Sequence, residues 1–171
     1  FAKTNGRIEA ERVDIASKFA GRLKTVLVKE GDLVKAGQVL AALDTAELEA
    51  QLKEAEASKV QAEQQLAQAV ALVAQRNSEL TLASLQLDRS LDLVRKGVTS
   101  QEVVDQRQSA KRTAEAAVNS ANAEVAVAKA AIEAAAARIN RLVVDIDDCA
   151  LKSPRNGRVE YRLALPGEVL A

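Results

Sequence analysis

The chain carries one pattern of hydrophobic and polar residues in its middle and a different pattern at its two ends. From about Thr45 to about Val144 there is no proline and one glycine, and apolar or small residues recur every three, four or seven positions. This spacing places them on one face of an α-helix, where they form a seam along which two helices can pack. The sequence predicts seam residues at Leu48, Leu52, Ala55, Ala62, Leu66, Ala69, Val73, Leu80, Leu87, Leu91 and Val94, and then at Val103, Ala110, Ala114, Ala117, Ala121, Val125, Ala128, Ile132, Ala135, Ile139 and Leu142.

The single glycine of this stretch, Gly97, divides it into two nearly equal arms. Arg95 and Lys96 precede the glycine, where cations suit the carbonyl end of a helix, and glycine itself suits the position just past that end. Residues 99–102 (TSQE) then have the capping-box pattern of a new helix, and residues 44–47 (DTAE) have it for the first helix. The sequence therefore predicts an antiparallel helical hairpin that turns at Gly97, with arms about 75 Å long at about 1.5 Å per residue.

The two ends of the chain repeat each other without a gap at an offset of 136 residues. Each copy alternates apolar and polar residues between glycines, which predicts short, half-buried strands joined by tight turns. A lone strand pair is marginally stable in water, so the two copies are expected to pack together and bury a shared apolar surface. The matching positions are Val13 with Cys149, Ile15 with Leu151, Ser17 with Ser153, residues 21–23 with 157–159, Leu27 with Leu163, and residues 31–34 with 167–170.

Composition and charge argue against several classes of function. The 24 basic residues balance the 24 acidic ones, and only three residues are aromatic, so neither a basic field nor a stacking surface favours nucleic acid. There is no histidine and one cysteine, which excludes an internal disulfide and removes the commonest catalytic base and metal ligands. No apolar run approaches the roughly 20 residues that cross a bilayer. We expect a protein that is not an enzyme, with no metal, cofactor or nucleic-acid partner.

Two half-motifs separated by a helical hairpin give the chain a family resemblance. Residues 28–40 (VKEGDLVKAGQVL) and 153–159 (SPRNGRV) flank the predicted hairpin, and in this arrangement the chain resembles the HlyD-type membrane fusion proteins over essentially its whole length. The resemblance implies an α+β fold in which the hairpin, residues 45–144 with its tip near residue 97, is inserted into a lipoyl-like barrel-sandwich hybrid β-domain. Residues 1–44 would form its first half. Residues 145–171 would form its second half, which lacks an expected last strand, as in a fragment of a longer protein.

The resemblance also suggests a site at the hairpin tip. Members that dock on TolC-like channels carry Arg, then Leu four positions later and Ser seven positions after that, and Arg89, Leu93 and Ser100 have this spacing around Gly97. The alternative is structural: Arg89 would be a solvated helix residue, Leu93 part of the seam, and Ser100 a helix cap. The family often has an acidic residue three positions after the serine, where this chain has Val103.

By resemblance, the expected function is that of a periplasmic adaptor between an inner-membrane transporter and a TolC-like outer-membrane channel. The resemblance leans weakly towards an ABC transporter over a proton-driven pump. It also implies self-assembly, as a hexamer, and association with the inner membrane through a segment outside this chain.

Two other functions remain open from the sequence. One is a biotin or lipoyl carrier with a helical insertion, although the lysine that carries the cofactor has no evident counterpart. The other is a purely structural coiled-coil protein.

Near the end of the hairpin, a group of aspartates and the single cysteine are candidates for a chemical role. Asp145, Asp147 and Asp148 could form an acid/base cluster or a calcium site, but aspartate also stabilises the turn between a helix and a strand, which we favour. Cys149 could be a reactive thiol, but it occupies the repeat position of Val13 and is expected to be a small buried apolar residue.

Overall fold

The computed structural model describes residues 12–170 and contains six short strands and two long helices in that range. In chain order these are β1 Gly21–Val26, β2 Leu33–Val34, β3 Val39–Leu43, α1 Ala46–Arg95, α2 Gln101–Asp148, β4 Ala150–Lys152, β5 Gly157–Arg158 and β6 Val169–Leu170. A helical hairpin thus lies in sequence between two groups of strands, which confirms the predicted α+β fold class. The chain divides into two compact units. The β-unit contains residues up to Gln51 and from Leu142 onward, and the hairpin unit is Leu52–Arg141.

The β-unit contains two antiparallel sheets. In the larger sheet the strand order is β4-β3-β1-β6, and the smaller sheet pairs β2 with β5. Strands β6 and β5 come from the second copy of the repeat, and each pairs with a strand of the first copy. The two copies therefore share both sheets, as the marginal stability of each copy alone predicts.

The sequence repeat is also a structural repeat. Strand β1 pairs with β6 through Gly21 with Leu170 and Arg22 with Val169, and a shift of 136 residues turns these pairs into Gly157 with Val34 and Arg158 with Leu33, which are the observed pairs of β5 and β2. The backbone bonds repeat as well: the Leu23 amide donates to the Glu168 carbonyl at 2.8 Å, and the Val159 amide donates to the Asp32 carbonyl at 2.9 Å. The β-unit has an internal two-fold pseudosymmetry.

The repeated turn uses the same chemistry in both copies. Gly31 has φ +92° and Gly167 has φ +91°, a conformation that other residues adopt only with strain. A carboxylate closes each turn: Asp32 Oδ2 accepts from the Lys29 amide at 2.8 Å, and Glu168 Oε2 accepts from the Leu165 amide at 3.0 Å. Asp and Glu are thus interchangeable at this position because either side chain reaches the amide.

Two hydrophobic clusters form the core of the β-unit. The first contains Leu23, Ala41, Leu43 and Cys149, all buried, and the second contains Val28, Val34 and Leu40 with Val159 packed against them. The burial of Cys149 confirms the prediction that it is a small core residue.

The hairpin unit buries five of the predicted seam residues, and most of the others are half-buried. Its buried residues are Ala55, Ala62, Leu87, Ser90, Val104, Ala121 and Ala128. The seam prediction is wrong at Ala110 and Leu91, which are exposed, and it missed Val104, which is buried next to the half-buried Val103. Since alanine dominates the buried set away from the tip, the two helices can approach closely there.

Helix α2 ends at Asp148, four residues beyond the predicted end of the hairpin at 144. The turn assigned to Asp145, Asp147 and Asp148 is therefore wrong, because all three lie in the last part of the helix. Two of them have ion pairs: Lys18 Nζ lies 2.6 Å from Asp148 Oδ2, and Lys152 Nζ lies 2.6 Å from Asp147 Oδ1. No group of three or more metal-ligating side chains occurs among residues 12–170.

The start of α1 also differs from the predicted capping box. Asp44 Oδ1 accepts from the amide of Ala46 at 3.2 Å, one residue before the Glu47 amide that the capping box would use. Thr45 donates its hydroxyl proton to Glu49 Oε1 at 2.7 Å. The acidic residues still lie in the first turn, where they complement the helix dipole.

Candidate functional site at the hairpin tip

The backbone fixes the conformation of the hairpin tip. Helix α1 ends at Arg95, and Gly97 follows with φ +72°. The Gly97 amide donates to the Val94 carbonyl and the Val98 amide donates to the Leu93 carbonyl, both at 2.9 Å. This pair of bonds is a Schellman motif, which satisfies carbonyls at the end of a helix that have no intrahelical partner.

Larger side chains and a polar contact hold the two helices together just below the tip. Leu87 of α1 and Val104 of α2 are buried there, and so is Ser90, whose hydroxyl donates to the Gln86 carbonyl at 2.9 Å. The side-chain oxygen of Gln86 accepts a bond from Nη1 of Arg107 on α2 at 3.1 Å. Just below the tip, both helices therefore have buried residues, and a hydrogen bond connects them.

The structure places all three predicted tip residues on the surface. Arg89 and Ser100 are exposed, and Leu93 is 42% exposed. Arg89 and Leu93 are four residues apart and so share one face of α1, whereas Ser100 lies across the turn and immediately precedes α2. A seam leucine would be covered by the opposite helix, whereas Leu93 leaves part of its side chain open to solvent, as Leu82 and Leu85 of the same helix do.

The side chains of Arg89 and Ser100 have no hydrogen-bond or ion-pair partner among the residues that the structure describes. The other two arginines of α1 do have partners: Arg76 lies 2.8 Å from Glu79 and Arg95 lies 3.2 Å from Asp92. The donors of Arg89 and the hydroxyl of Ser100 are thus available to a binding partner.

Sequence reasoning missed one exposed apolar residue at the tip. Val98 is 69% exposed and directly follows Gly97. The sequence did contain a signal for Val98, because the residue after the glycine of a Schellman motif is often hydrophobic and packs back on the helix. Here both Val98 and its bonded neighbour Leu93 leave apolar surface open, which extends the apolar part of the tip.

The buried thiol outside the tip is electrostatically unsuited to reaction. Burial raises the pKa of Cys149, and the carboxylates of Asp145 and Asp148 raise it further. Since the thiolate is the nucleophile, this cysteine is held in its inert form.

The chemistry that the structure offers at the tip is recognition through arginine donors, a hydroxyl and apolar contact.

Neither helix, within the residues described, has an apolar stretch long enough to cross a membrane.

Comparisons with known proteins agree on one type of protein. No model of a protein family matches the chain. The macrolide export protein MacA of Yersinia pestis is 30% identical over 166 residues, which cover 96% of this chain and 41% of that protein. A crystal structure of MacA from Actinobacillus actinomycetemcomitans matches with a TM-score of 0.61 at 24% identity, over 94% of this chain and 45% of that one.

The soluble domain of LipC, a membrane fusion protein of a type I secretion system, has the same fold, with a TM-score of 0.52 at 14% identity. That match covers 94% of this chain and 96% of LipC. This chain spans about two fifths of the length of the macrolide export protein that it matches. The resemblance drawn from the two half-motifs and the hairpin is confirmed: over nearly its whole length the chain is similar to membrane fusion proteins.

Proposed function

We propose that this chain is the central part of a periplasmic adaptor that connects an inner-membrane transporter to a TolC-like outer-membrane channel for export. Its work is bridging, with no catalytic step. In this proposal residues 1–44 and 145–171 are the two halves of the lipoyl-like domain, and residues 45–144 are the hairpin that reaches the channel.

The observation that carries the proposal is the set of exposed, unpartnered residues around a backbone-fixed turn. Arg89 and Ser100 have no partners among residues 12–170, and Leu93 is open to solvent. Since the Schellman bonds hold the turn at Gly97, the backbone at the tip has little conformational freedom to lose on binding.

Each tip residue has a distinct part in docking. Arg89 offers a rigid fork of donors that suits carboxylates and backbone carbonyls of the channel. Leu93 supplies apolar contact, and Ser100 has a small hydroxyl that allows close approach and forms a hydrogen bond.

The remaining partners follow from the family. We propose that the adaptor assembles with itself as a hexamer in the periplasm and is held at the inner membrane by a segment outside this chain. Between transporter classes we favour an ABC transporter, because the hairpin helices are long, which by the family resemblance is typical of the ABC-associated adaptors.

The test is capture of a purified TolC-like channel by the full-length adaptor. A photoreactive amino acid at the exposed position 96 reports contact at the tip. We expect Arg89→Asp and Leu93→Asp each to reduce crosslinking by at least about tenfold, the loss typical of a residue central to an interface.

Matched controls come from the same helices. Arg112→Asp reverses an exposed charge on α2, and Leu82→Asp places a carboxylate at an exposed leucine of α1 away from the tip. Both controls should crosslink as wild type does. Equal capture by all variants would mean that the tip residues are ordinary hairpin sequence, and no capture by wild type would return the chain to the structural coiled-coil alternative.

A further inference from the structure

The Arg89 side chain has both polar and apolar neighbours on its own helix. On an α-helix a side chain meets those three and four positions away. For Arg89 these neighbours are Leu85, Gln86, Asp92 and Leu93. Two of them are apolar, so Gln86 and Asp92 provide the side-chain acceptors that lie within one turn of this arginine on α1.

Each of these two acceptors is bonded to a different arginine. Asp92 Oδ1 lies 3.2 Å from Nη1 of Arg95, and Gln86 Oε1 accepts a bond from Nη1 of Arg107 at 3.1 Å. Arg89 itself has no side-chain partner in the described part of the chain. The donors of Arg89 are thus left open beside two acceptors that other arginines occupy.

Position along the helix explains why Asp92 pairs with Arg95. Arg89 and Arg95 are each three positions from Asp92, one on either side. An acidic residue interacts better with a basic residue that follows it on the helix than with one that precedes it. Arg95 also lies in the last turn of α1, where a cation complements the carbonyl end of the helix. Both effects favour the observed pair over a pair of Asp92 with Arg89.

We propose that Arg95 is a positioning residue of the tip: it holds the Asp92 carboxylate and so leaves the Arg89 guanidinium free for a channel. This inference rests on the proposed docking function. Arg95 acts through Asp92 and needs no contact of its own with the channel. Without Arg95, an uncompensated carboxylate would lie one turn from Arg89, and a channel would have to displace it. Gln86 competes less strongly because hydrogen bonds to a neutral acceptor are weaker than those to a carboxylate.

A second cation close to Asp92 has to be removed before the proposal can be tested. Lys96 is four positions after Asp92, so its ammonium could replace the guanidinium of Arg95. The photoreactive amino acid at position 96 replaces this lysine. All variants are therefore made in that background, where Arg95 is the one cation that follows Asp92 within a turn.

The experiment titrates a purified TolC-like channel against the full-length adaptor and follows the crosslinked product. We expect Arg95→Gln to raise the dissociation constant about two- to threefold, the factor that one exposed ion pair of this spacing is worth. The double variant Asp92→Asn/Arg95→Gln should restore the wild-type constant, because the competing carboxylate is gone. Arg95→Lys keeps the charge and should bind as wild type does.

The matched control is Arg76→Gln. It breaks the pair of Arg76 with Glu79, which has the same three-residue spacing on the same helix and lies away from the tip. This variant should bind the channel as wild type does.

A second measurement follows Arg89 without the channel. The order parameter of the Arg89 Nε–H bond, from ¹⁵N relaxation of the 171-residue chain, reports how far this side chain is held in place. We expect it to rise in Arg95→Gln, where Asp92 pairs with Arg89, and to return to the wild-type value in the double variant.

The outcomes separate this proposal from the docking function. If Arg89→Asp loses capture but Arg95→Gln binds as wild type does, the positioning role is overturned and docking at the tip stands. A double variant as weak as Arg95→Gln also overturns it, because Arg95 would then contact the channel directly. If Arg89→Asp has no effect on capture, docking fails, and an order parameter that Arg95→Gln leaves unchanged overturns the positioning role independently.

Discussion

At the scale of single residues, Gly97 determines the backbone conformation of the hairpin tip. Its φ of +72° lies in the left-handed region, and an added Cβ would meet no atom within 4 Å. Gly97→Ala should therefore destabilise the hairpin by about 1 kcal/mol through backbone strain alone, and Gly97→Asn by less, because Asn tolerates this region better. Thermal unfolding followed by circular dichroism measures both. Equal stability of the alanine variant and wild type would contradict the left-handed turn.

Cys149 permits a second prediction at this scale. Its thiol is buried, and burial together with Asp145 and Asp148 raises its pKa from the ordinary 9.0, so it is protonated at pH 8. A maleimide should modify the native chain at least about 100-fold more slowly than the chain unfolded in urea, because reaction requires opening of the core. The rate is read by intact mass. Val13→Cys in a Cys149→Ala background provides the comparison, and this exposed thiol should react rapidly in the native chain.

At the scale of elements, the packing below the tip should contribute more to stability than exposed apolar residues on the same helix. Leu87 is buried, whereas Leu82 is largely exposed. Leu87→Ala should lower the free energy of unfolding by about 2 to 4 kcal/mol, and Leu82→Ala by less than about 0.5 kcal/mol. Urea unfolding of the two variants measures the difference. Similar losses would show that the region around Leu87 relaxes to fill the space.

The elements that sequence predicted well are those encoded by local chemistry. Each of these signals lies within a short stretch of sequence: the helical periodicity, the single glycine of the hairpin and the glycine turns. The helices and strands appear in the order that these signals predict. The seam prediction was less accurate near the tip, where Val104, which was not predicted, is more buried than the predicted Val103. Periodicity alone cannot resolve a shift of one residue after a turn, because the turn resets the phase of the helix.

The end of α2 was not predicted correctly from the residues around it. Carboxylates are unfavourable at the carbonyl end of a helix, so Asp147 and Asp148 indicated an earlier end. Lys18, 130 residues away, and Lys152 in β4 supply the opposing charges. The contact with Lys18 exists only after the two copies of the repeat have come together. The tip residues were predicted from the family resemblance, whereas their lack of side-chain partners could be seen only from the side-chain positions.

At the scale of the whole molecule, the repeat gives each contact in one half of the β-unit a counterpart in the other. Sequence alone predicted two copies that pack together. It did not predict that strands of one copy pair with strands of the other, as β6 pairs with β1 and β5 pairs with β2. This pairing makes folding of either half depend on the other, because each half provides strands for the sheet of its partner.

The pseudosymmetry predicts equal effects of equivalent substitutions. Gly31 and Gly167 have nearly the same φ, and an added Cβ would touch nothing within 4 Å at either position. Gly31→Ala and Gly167→Ala should each lower the free energy of unfolding of the β-unit by about 1 to 2 kcal/mol. Because the copies share both sheets, both variants should shift one common transition in calorimetry, and the double variant should lose the sum of the two effects, since distant sites are additive. If Gly31→Ala alone shifted the transition, the second copy would be an appendage to the first and the two halves would not form one cooperative structure.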